Sequence, residues 1–304
     1  MEIDYNDLSI PAPWGKVSVA TWGSPSSPPV LLMHGRQDSA ATFVALVRLL
    51  PTDHYYVAVD LPGHGRSDPY PKGLVGARFH YVHTVDIVVK HMGWKKFVFI
   101  GHSMGCEIGL FYNAANPGRI NAFILLDPGP TFQRLQQPDH VRFYKHYYAR
   151  YYGNYKRYNG PGLVYTKRKI LDNVMKGRQF NEEQAEVALS RNLVQIGDDK
   201  YRLTTDSRSK YCVPQNFPND YYIHLFTNNA PPTLITAMSH GSRGVKRGKE
   251  GADELLEAKE NKIRVFKRLE LIGGHDHHVT HPEELIAPIE EFLREHSSQV
   301  QSKL

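Results

Sequence analysis

Residues 97–105 read Phe-Val-Phe-Ile-Gly-His-Ser-Met-Gly, an apolar run that ends in the pattern Gly-x-Ser-x-Gly. The run predicts a strand covered on both faces, and residues 104–115 behind it have helical spacing. A strand that turns this tightly into a helix holds its serine in strained backbone geometry and lifts the hydroxyl clear of the sheet. Ser103 is therefore the predicted nucleophile. We expect the tight turn to require glycine at positions 101 and 105, because side chains there would clash.

The same alternation of strands and helices extends in both directions from this turn. Buried or alternating runs predict strands at residues 16–22, 30–33, 55–59, 97–100, 122–126, 233–237 and 264–272, and helical spacing predicts helices at 40–50, 79–92, 104–115, 252–260 and 282–295. Such a pattern predicts an α/β fold, with a mostly parallel sheet and helices on both faces.

The alternation stops at Pro128 and resumes near residue 230. The intervening residues are rich in Tyr, Arg and Lys, with seven tyrosines between positions 144 and 158. We predict a catalytic core from residues 1–129 and 230–304, and an inserted helical cap at 130–229, called the cap segment below. The tyrosine cluster is expected to pack within the cap rather than line a pocket, because aromatic clusters are more often core than contact surface.

Composition narrows the class of protein. The 304 residues carry 37 Lys and Arg against 31 Asp and Glu, and 41% are hydrophobic, an ordinary globular balance. The basic stretch Arg243, Lys246, Arg247 and Lys249 is interpreted as a solvated loop, and no nucleic-acid module accompanies it. Two cysteines form no disulfide framework, and the polar N-terminus predicts no signal peptide. No apolar run is long enough for a membrane span.

Acyl transfer by a serine also needs two donors for the tetrahedral oxyanion. One would be the backbone amide of Met104, directly after the nucleophile. The other would come from the loop after the strand at 30–33, which reads His34-Gly35-Arg36, with the Arg36 amide as donor. The Arg36 side chain either bonds across the pocket or faces solvent.

The general base is sought in the loop after the last strand, where four of the sixteen histidines lie at positions 275, 277, 278 and 281. His275 directly follows Gly-Gly at the strand end and is the predicted base, with His278 as the alternative. His277 and His281 are expected to be polar surface residues. A zinc site is the competing interpretation, but no second ligand cluster completes it, so no metal is predicted.

The third member of the site is less obvious, because no carboxylate follows the strand at 233–237 directly. Glu250 and Asp253 come next, and Asp253 is explained as well by helix capping. Asp127 follows the strand at 122–126, where the carboxyl end of a parallel strand faces the site. Asp127 is therefore the predicted acid; the alternative is that it only shapes the turn into Pro128.

Several stretches of the sequence together resemble the α/β-hydrolase superfamily, and they occur in the order typical of that superfamily along the whole core. They are His34-Gly35, residues 60–67 (Asp-Leu-Pro-Gly-His-Gly-Arg-Ser), residues 101–105, and Gly274-His275 with Pro282-Glu283 beyond. Residues 34–43 and the Ser-Lys-Leu end are similar to the serine hydrolase-like (kraken-type) branch, whose members are associated with peroxisomes. Related epoxide hydrolases and dehalogenases use Asp as nucleophile, whereas this chain has Ser103. The dehalogenase relatives place their acid as Asp127 is placed, and the family's Gly-His pair supports His275.

The expected activity is hydrolysis of an ester or related acyl bond by Ser103, His275 and Asp127, without a cofactor. Two alternatives stay open. The first is an acyl-CoA thioesterase of the same fold, and the second is a non-catalytic binding protein that kept the fold.

The last three residues, Ser302-Lys303-Leu304, match the peroxisomal import address, which a receptor reads. We expect import into peroxisomes through that receptor, with a possible cytoplasmic pool. Deleting these three residues, or adding a bulky tag after Leu304, should leave the protein in the cytosol when a fluorescent fusion is imaged in cells. Import of the truncated form would show that another signal operates.

Overall fold

A computed structural model of the chain describes residues 4–135, 139–239 and 249–297, with only the backbone described at 134–135 and 249–252. The predicted import tripeptide and the basic residues Arg243, Lys246 and Arg247 lie outside these ranges, as does the side chain of Lys249, so those interpretations stay predictions. Among the described helices, none combines the length and the apolar character needed to cross a membrane.

Ten strands are described. They are β1 (Asn6–Ala12), β2 (Gly15–Trp22), β3 (Pro29–Met33), β4 (Tyr55–Val59), β5 (Phe97–His102), β6 (Ile120–Leu126), β7 (Leu193–Gly197), β8 (Lys200–Leu203), β9 (Thr233–Met238) and β10 (Phe266–Leu271). Eight of them form one sheet in the order β1-β2-β4-β3-β5-β6-β9-β10. The pairs from β4 to β10 are parallel and the two pairs at the β1 end are antiparallel. This confirms the predicted mostly parallel sheet.

Helices of the core connect these strands. They are α1 (Val44–Val47), α2 (His80–His91), α3 (Met104–Ala115), α11 (Lys249–Lys262), α12 (His277–Thr280) and α13 (Glu283–His296). Between β6 and β9 lie α4 (Gly129–Leu135), α5 (His140–Tyr144), α6 (Arg150–Gly153), α7 (Tyr155–Asn159), α8 (Lys167–Arg178), α9 (Glu182–Leu189) and α10 (Asn219–Thr227), and the antiparallel β7–β8 pair. A π-helix at Lys145–Ala149 and 3-10 helices at Ala40–Phe43 and Ser207–Tyr211 complete the set.

The sheet is covered on both faces because its central strands are apolar at every position. All five residues of β3 and of β4 are buried. Leu31 and Phe99 belong to the apolar cluster shared with α2 and α3, whereas Leu32 and Ile100 belong to the cluster shared with α13. Alternate side chains of each strand therefore enter opposite cores, as expected of a buried parallel strand.

One strand was not predicted, and one predicted helix needs correction. The polar N-terminus forms β1, an edge strand whose Leu8, Ile10 and Ala12 alternate towards the core. The predicted helix at 40–50 is a 3-10 turn followed by the single turn α1.

The tyrosines of the cap segment pack only in part as expected. Tyr151 is fully buried, and its ring contacts those of Tyr152, Tyr155 and Tyr158. Tyr144 remains 56% exposed. Tyr151 and its three neighbours thus form a packed group, whereas Tyr144 stacks on Tyr148.

Candidate active site

The turn between β5 and α3 has the strain that its sequence predicts. Ser103 has φ 51° and ψ −115°, a conformation that side chains rarely adopt. A Cβ on Gly101 would lie 2.8 Å from the Cys106 nitrogen, and one on Gly105 would lie 2.0 Å from the Met33 carbonyl oxygen. Both glycines are therefore required by the close packing of strand and helix.

The register of the parallel strands gathers the predicted site residues at one edge of the sheet. Met33 pairs with Gly101, and His102 pairs with Leu126. The residues after each strand end are therefore neighbours, and the Ser103 amide donates to the Leu126 carbonyl at 3.1 Å. This places Ser103 beside Asp127 in the neighbouring chain segment.

Asp127 and His275 are in direct contact. His275 Nδ1 lies 2.6 Å from Asp127 Oδ2, although 148 residues separate them in sequence. The Asp127 side chain is only 6% exposed, whereas that of His275 is 34% exposed. A buried carboxylate thus holds one edge of an imidazole whose other edge is reachable.

The end of β9 holds the acid in place instead of supplying one. The Met238 amide donates to Asp127 Oδ1 at 3.4 Å, and the Asp127 amide donates to the carbonyl of Thr236 at 3.0 Å. Asp127 itself has φ 44°, a second strained residue next to the first. Asp253, the alternative acid, is exposed on α11. The side chain of Glu250 lies outside the described residues.

The predicted oxyanion loop lies beside the nucleophile. A Cβ on Gly35 would lie 3.2 Å from the Ser103 Cβ, so a side chain there would crowd the serine. Met104 is the first residue of α3, where amides have no acceptor within the helix. The Arg36 guanidinium donates to the Lys210 carbonyl of the cap segment at 3.4 Å, so this side chain reaches across the site.

The four histidines of the last loop have separate environments. His275 contacts Asp127, while His277 is 2% exposed and its Nε2 lies 3.1 Å from Glu284 Oε2. The expectation of a surface position was wrong for His277, because the loop turns inward as α12. His281 is exposed as predicted. The base assignment to His275 stays a prediction, but its acid contact distinguishes it from His278.

His102 supports the loop that carries His275, called the base loop below. Sequence reasoning missed this role. His102 Nε2 lies 2.9 Å from the His275 carbonyl oxygen, and its ring lies between those of His275 and His278, with centroids 4.6 and 4.1 Å away. Burial lowers the pKa of His102 to about 4, so the ring is neutral. Because a carbonyl only accepts, Nε2 carries the hydrogen.

One group of described residues has the spacing of metal ligands, namely Asp38, His102 and Asp276. Arg178 from the cap segment donates to both carboxylates, so a guanidinium already occupies the position of a cation. Nothing in the sequence singled out this arginine or its two partners.

An apolar cavity of about 420 Å³ lies where the cap segment meets the core. Its lining includes Trp14, Tyr70, Leu74, Tyr81 and Cys212, but not the three predicted catalytic residues. We therefore distinguish it from the candidate active site, which is defined by the residues around Ser103.

Comparison with known proteins places this geometry in a family. The family model described as alpha/beta hydrolase fold matches residues 28–264. The chain belongs to this family. This α/β-hydrolase is 26% identical over 296 residues to human "Serine hydrolase-like protein 2", covering 95% of this chain and 94% of that protein. It is 28% identical to the zebrafish (Danio rerio) "Serine hydrolase-like protein", covering 96% and 89%.

Solved structures agree on the fold. A hypothetical protein from Pseudomonas aeruginosa PAO1 superimposes with a TM-score of 0.79 at 23% identity, covering 95% of this chain and 99% of its own. The thioesterase domain from the curacin biosynthetic pathway gives a TM-score of 0.75 at 18% identity, covering 94% and 99%. At these identities the likeness concerns the fold alone.

The buried histidines around the site predict how stability depends on pH. Burial lowers the pKa of His34, His64 and His102 to about 4, and that of His278 well below its usual value. Between pH 6.5 and 4 the unfolded chain therefore binds more protons than the folded one. The free energy of unfolding should fall as the pH drops below 6.5, by about 1.4 kcal/mol per pH unit for each such histidine.

Urea titrations at pH 7.5, 6.0 and 5.0 measure this slope. In the His34→Gln variant, the slope of the unfolding free energy against pH should be smaller by the contribution of about one proton. The His83→Gln variant, changed at an exposed side chain, should keep the wild-type slope. A free energy of unfolding that is constant or rises towards pH 5 would contradict the neutral state of the buried rings.

Proposed function

We propose that this α/β-hydrolase cleaves an ester or related acyl bond through an acyl-enzyme on Ser103. The contact between His275 Nδ1 and Asp127 Oδ2 is the observation that carries the proposal. A carboxylate in that position orients the imidazole and stabilises the imidazolium that forms during acyl transfer. A strained serine on the neighbouring strand end completes the set of groups that this chemistry needs.

In the first step, Ser103 Oγ attacks the carbonyl carbon while its proton passes to Nε2 of His275. The tetrahedral intermediate collapses, and the leaving group takes that proton from His275. Water then attacks the acyl-enzyme with His275 as base again, which releases the carboxylic acid and restores Ser103. Asp127 keeps the hydrogen on Nδ1 throughout.

The amides of Met104 and Arg36 are the proposed donors to the oxyanion. Met104 begins α3, so its amide carries the partial positive charge of a helix N-terminus. The closeness of the Gly35 backbone to Ser103, where an added Cβ would lie 3.2 Å from the Ser103 Cβ, supports a second donor from the adjoining Arg36 backbone. Two fixed donors stabilise charge that develops only in the transition state.

Ser103 should be the sole nucleophile. A fluorophosphonate probe should label the wild-type protein, and Ser103→Ala should abolish labelling and lower turnover of a p-nitrophenyl ester by at least about 10³-fold. The reason is that the acyl-enzyme of this mechanism forms on the Ser103 hydroxyl. Labelled peptides identified by mass spectrometry give the site directly. If Ser103→Ala retains more than a tenth of wild-type turnover, Ser103 is not the nucleophile.

Asp127 should be the acid of this site. Asp127→Asn should fold normally and lose roughly 10² to 10⁴ in kcat, because an amide no longer fixes the imidazole in the required tautomer. Asp253→Asn is the matched control, since the same change on the exposed face of α11 should leave kcat unaltered. If only the Asp253 variant is impaired, Asp253 and not Asp127 is the acid.

The two alternatives are separated by the choice of substrate and by the fluorophosphonate probe. Faster turnover of acyl-CoA substrates than of short p-nitrophenyl esters would identify an acyl-CoA thioesterase. Absence of fluorophosphonate labelling in folded protein would favour a non-catalytic ligand-binding protein.

A further inference from the structure

Arg178, the last residue of α8, carries a guanidinium that lies between two carboxylates of the core. Nη1 and Nη2 donate to the two oxygens of Asp38 at 3.1 and 2.8 Å. Nε donates to Asp276 Oδ2 at 2.9 Å, and Nη2 also donates to Asp276 Oδ1. One side chain of the cap segment therefore binds all four oxygens, which the planar fork of an arginine allows and a lysine does not.

The two carboxylates belong to the two loops that present the site. Asp38 lies two residues beyond Arg36 in the loop after β3, and its Oδ1 also accepts the Ser39 amide at 3.1 Å. Asp276 follows His275 directly, and its carbonyl accepts the Val279 amide at 2.9 Å where α12 begins. Fixing these two side chains fixes the backbone next to the proposed oxyanion donor and next to the proposed base.

The guanidinium is itself held in position. It stacks over the Phe180 ring at 4.7 Å, and Gln179 between them has the left-handed conformation that ends α8. Val279 of the base loop packs into the apolar cluster formed by α8 and α9 of the cap segment. The contact between cap and base loop is thus apolar on one side and ionic on the other.

The charges of this group explain why the arginine matters. Asp38 is 3% exposed, Asp276 is 12% exposed and Arg178 is 24% exposed. Burial pushes the pKa of Asp276 upward, but the hydrogen bonds and charge of Arg178 outweigh it and hold that pKa well below its usual range. The neighbouring His102 is neutral, so among the described residues around this group Arg178 is the cation that contacts both carboxylates.

We propose that Arg178 is a positioning residue: it holds the loops of Arg36 and His275 in register with Ser103 only while the cap segment is docked. The inference rests on the function proposed above. A buried ion pair is by itself weak evidence of a stabilising role, because the cost of removing its charges from water offsets their attraction. Its position between the two loops links docking of the cap to assembly of the site.

The test compares Arg178→Gln with Arg178→Lys, and with Arg168→Gln as a matched control. Arg168 is on the same helix, is 60% exposed, and pairs with Glu182. Arg178→Gln should lower kcat and the fluorophosphonate labelling rate by about 10- to 100-fold, the effect of a small misplacement of reacting groups. KM should change little, since the misplaced groups act in the transition state. Arg178→Lys should be intermediate, and Arg168→Gln should match wild type.

Hydrogen exchange gives a readout that does not depend on turnover. Deuterium uptake in peptides covering residues 34–40 and 274–280 should rise together in Arg178→Gln and stay unchanged in Arg168→Gln. If the Gln variant does not fold, the Lys variant decides by the same two measurements. Wild-type kcat in a variant with a lowered Tm would overturn the proposal, leaving Arg178 as a structural ion pair. So would exchange that rises in only one loop.

Failure of the proposed function looks different. In that case wild-type protein is not labelled and hydrolyses neither esters nor thioesters. The exchange data then still show whether Arg178 couples the cap segment to both loops. Unchanged uptake in both peptides would overturn the coupling, whatever the activity.

Discussion

The backbone of Gly105 in α3 approaches the Met33 carbonyl of β3 so closely that a single added carbon would lie 2.0 Å from the oxygen. This contact lets the chain reverse from strand to helix within one residue, Ser103. The serine is thereby set between the ends of β3 and β6, with its amide bonded to Leu126. Every other group of the site is a neighbour of that position, so the glycine contact determines where the chemistry can occur.

The core could be predicted largely from residue pattern. Strand β4 and helix α3 begin and end where the sequence indicated, because an unbroken apolar run and a regular helical spacing are strong local signals. Strand β1 was missed because Pro11 interrupts its short alternation, and of Leu8, Ile10 and Ala12 only Ile10 is fully buried. Edge strands have this weaker pattern, since one face and one side remain open to solvent.

Asp127 and His275 could be anticipated from their positions at the ends of predicted parallel strands, which meet at one edge of the sheet, and from the family resemblance. The burial of His277 and the supporting bond from His102 could not, since they depend on how the last loop turns. Arg178 was one of many basic residues in the cap segment. Its role depends on where α8 docks, which no local pattern determines.

Arg191, also from the cap segment, is fully buried and donates to Asp60 in the core and to Asp7 of β1. With Arg178, it means that Asp38, Asp60 and Asp276 of the core each pair with an arginine from the cap segment. The cap is therefore not an interchangeable module. Replacing it with the cap of another hydrolase would leave buried carboxylates without their arginine partners, unless the new cap also supplied both arginines.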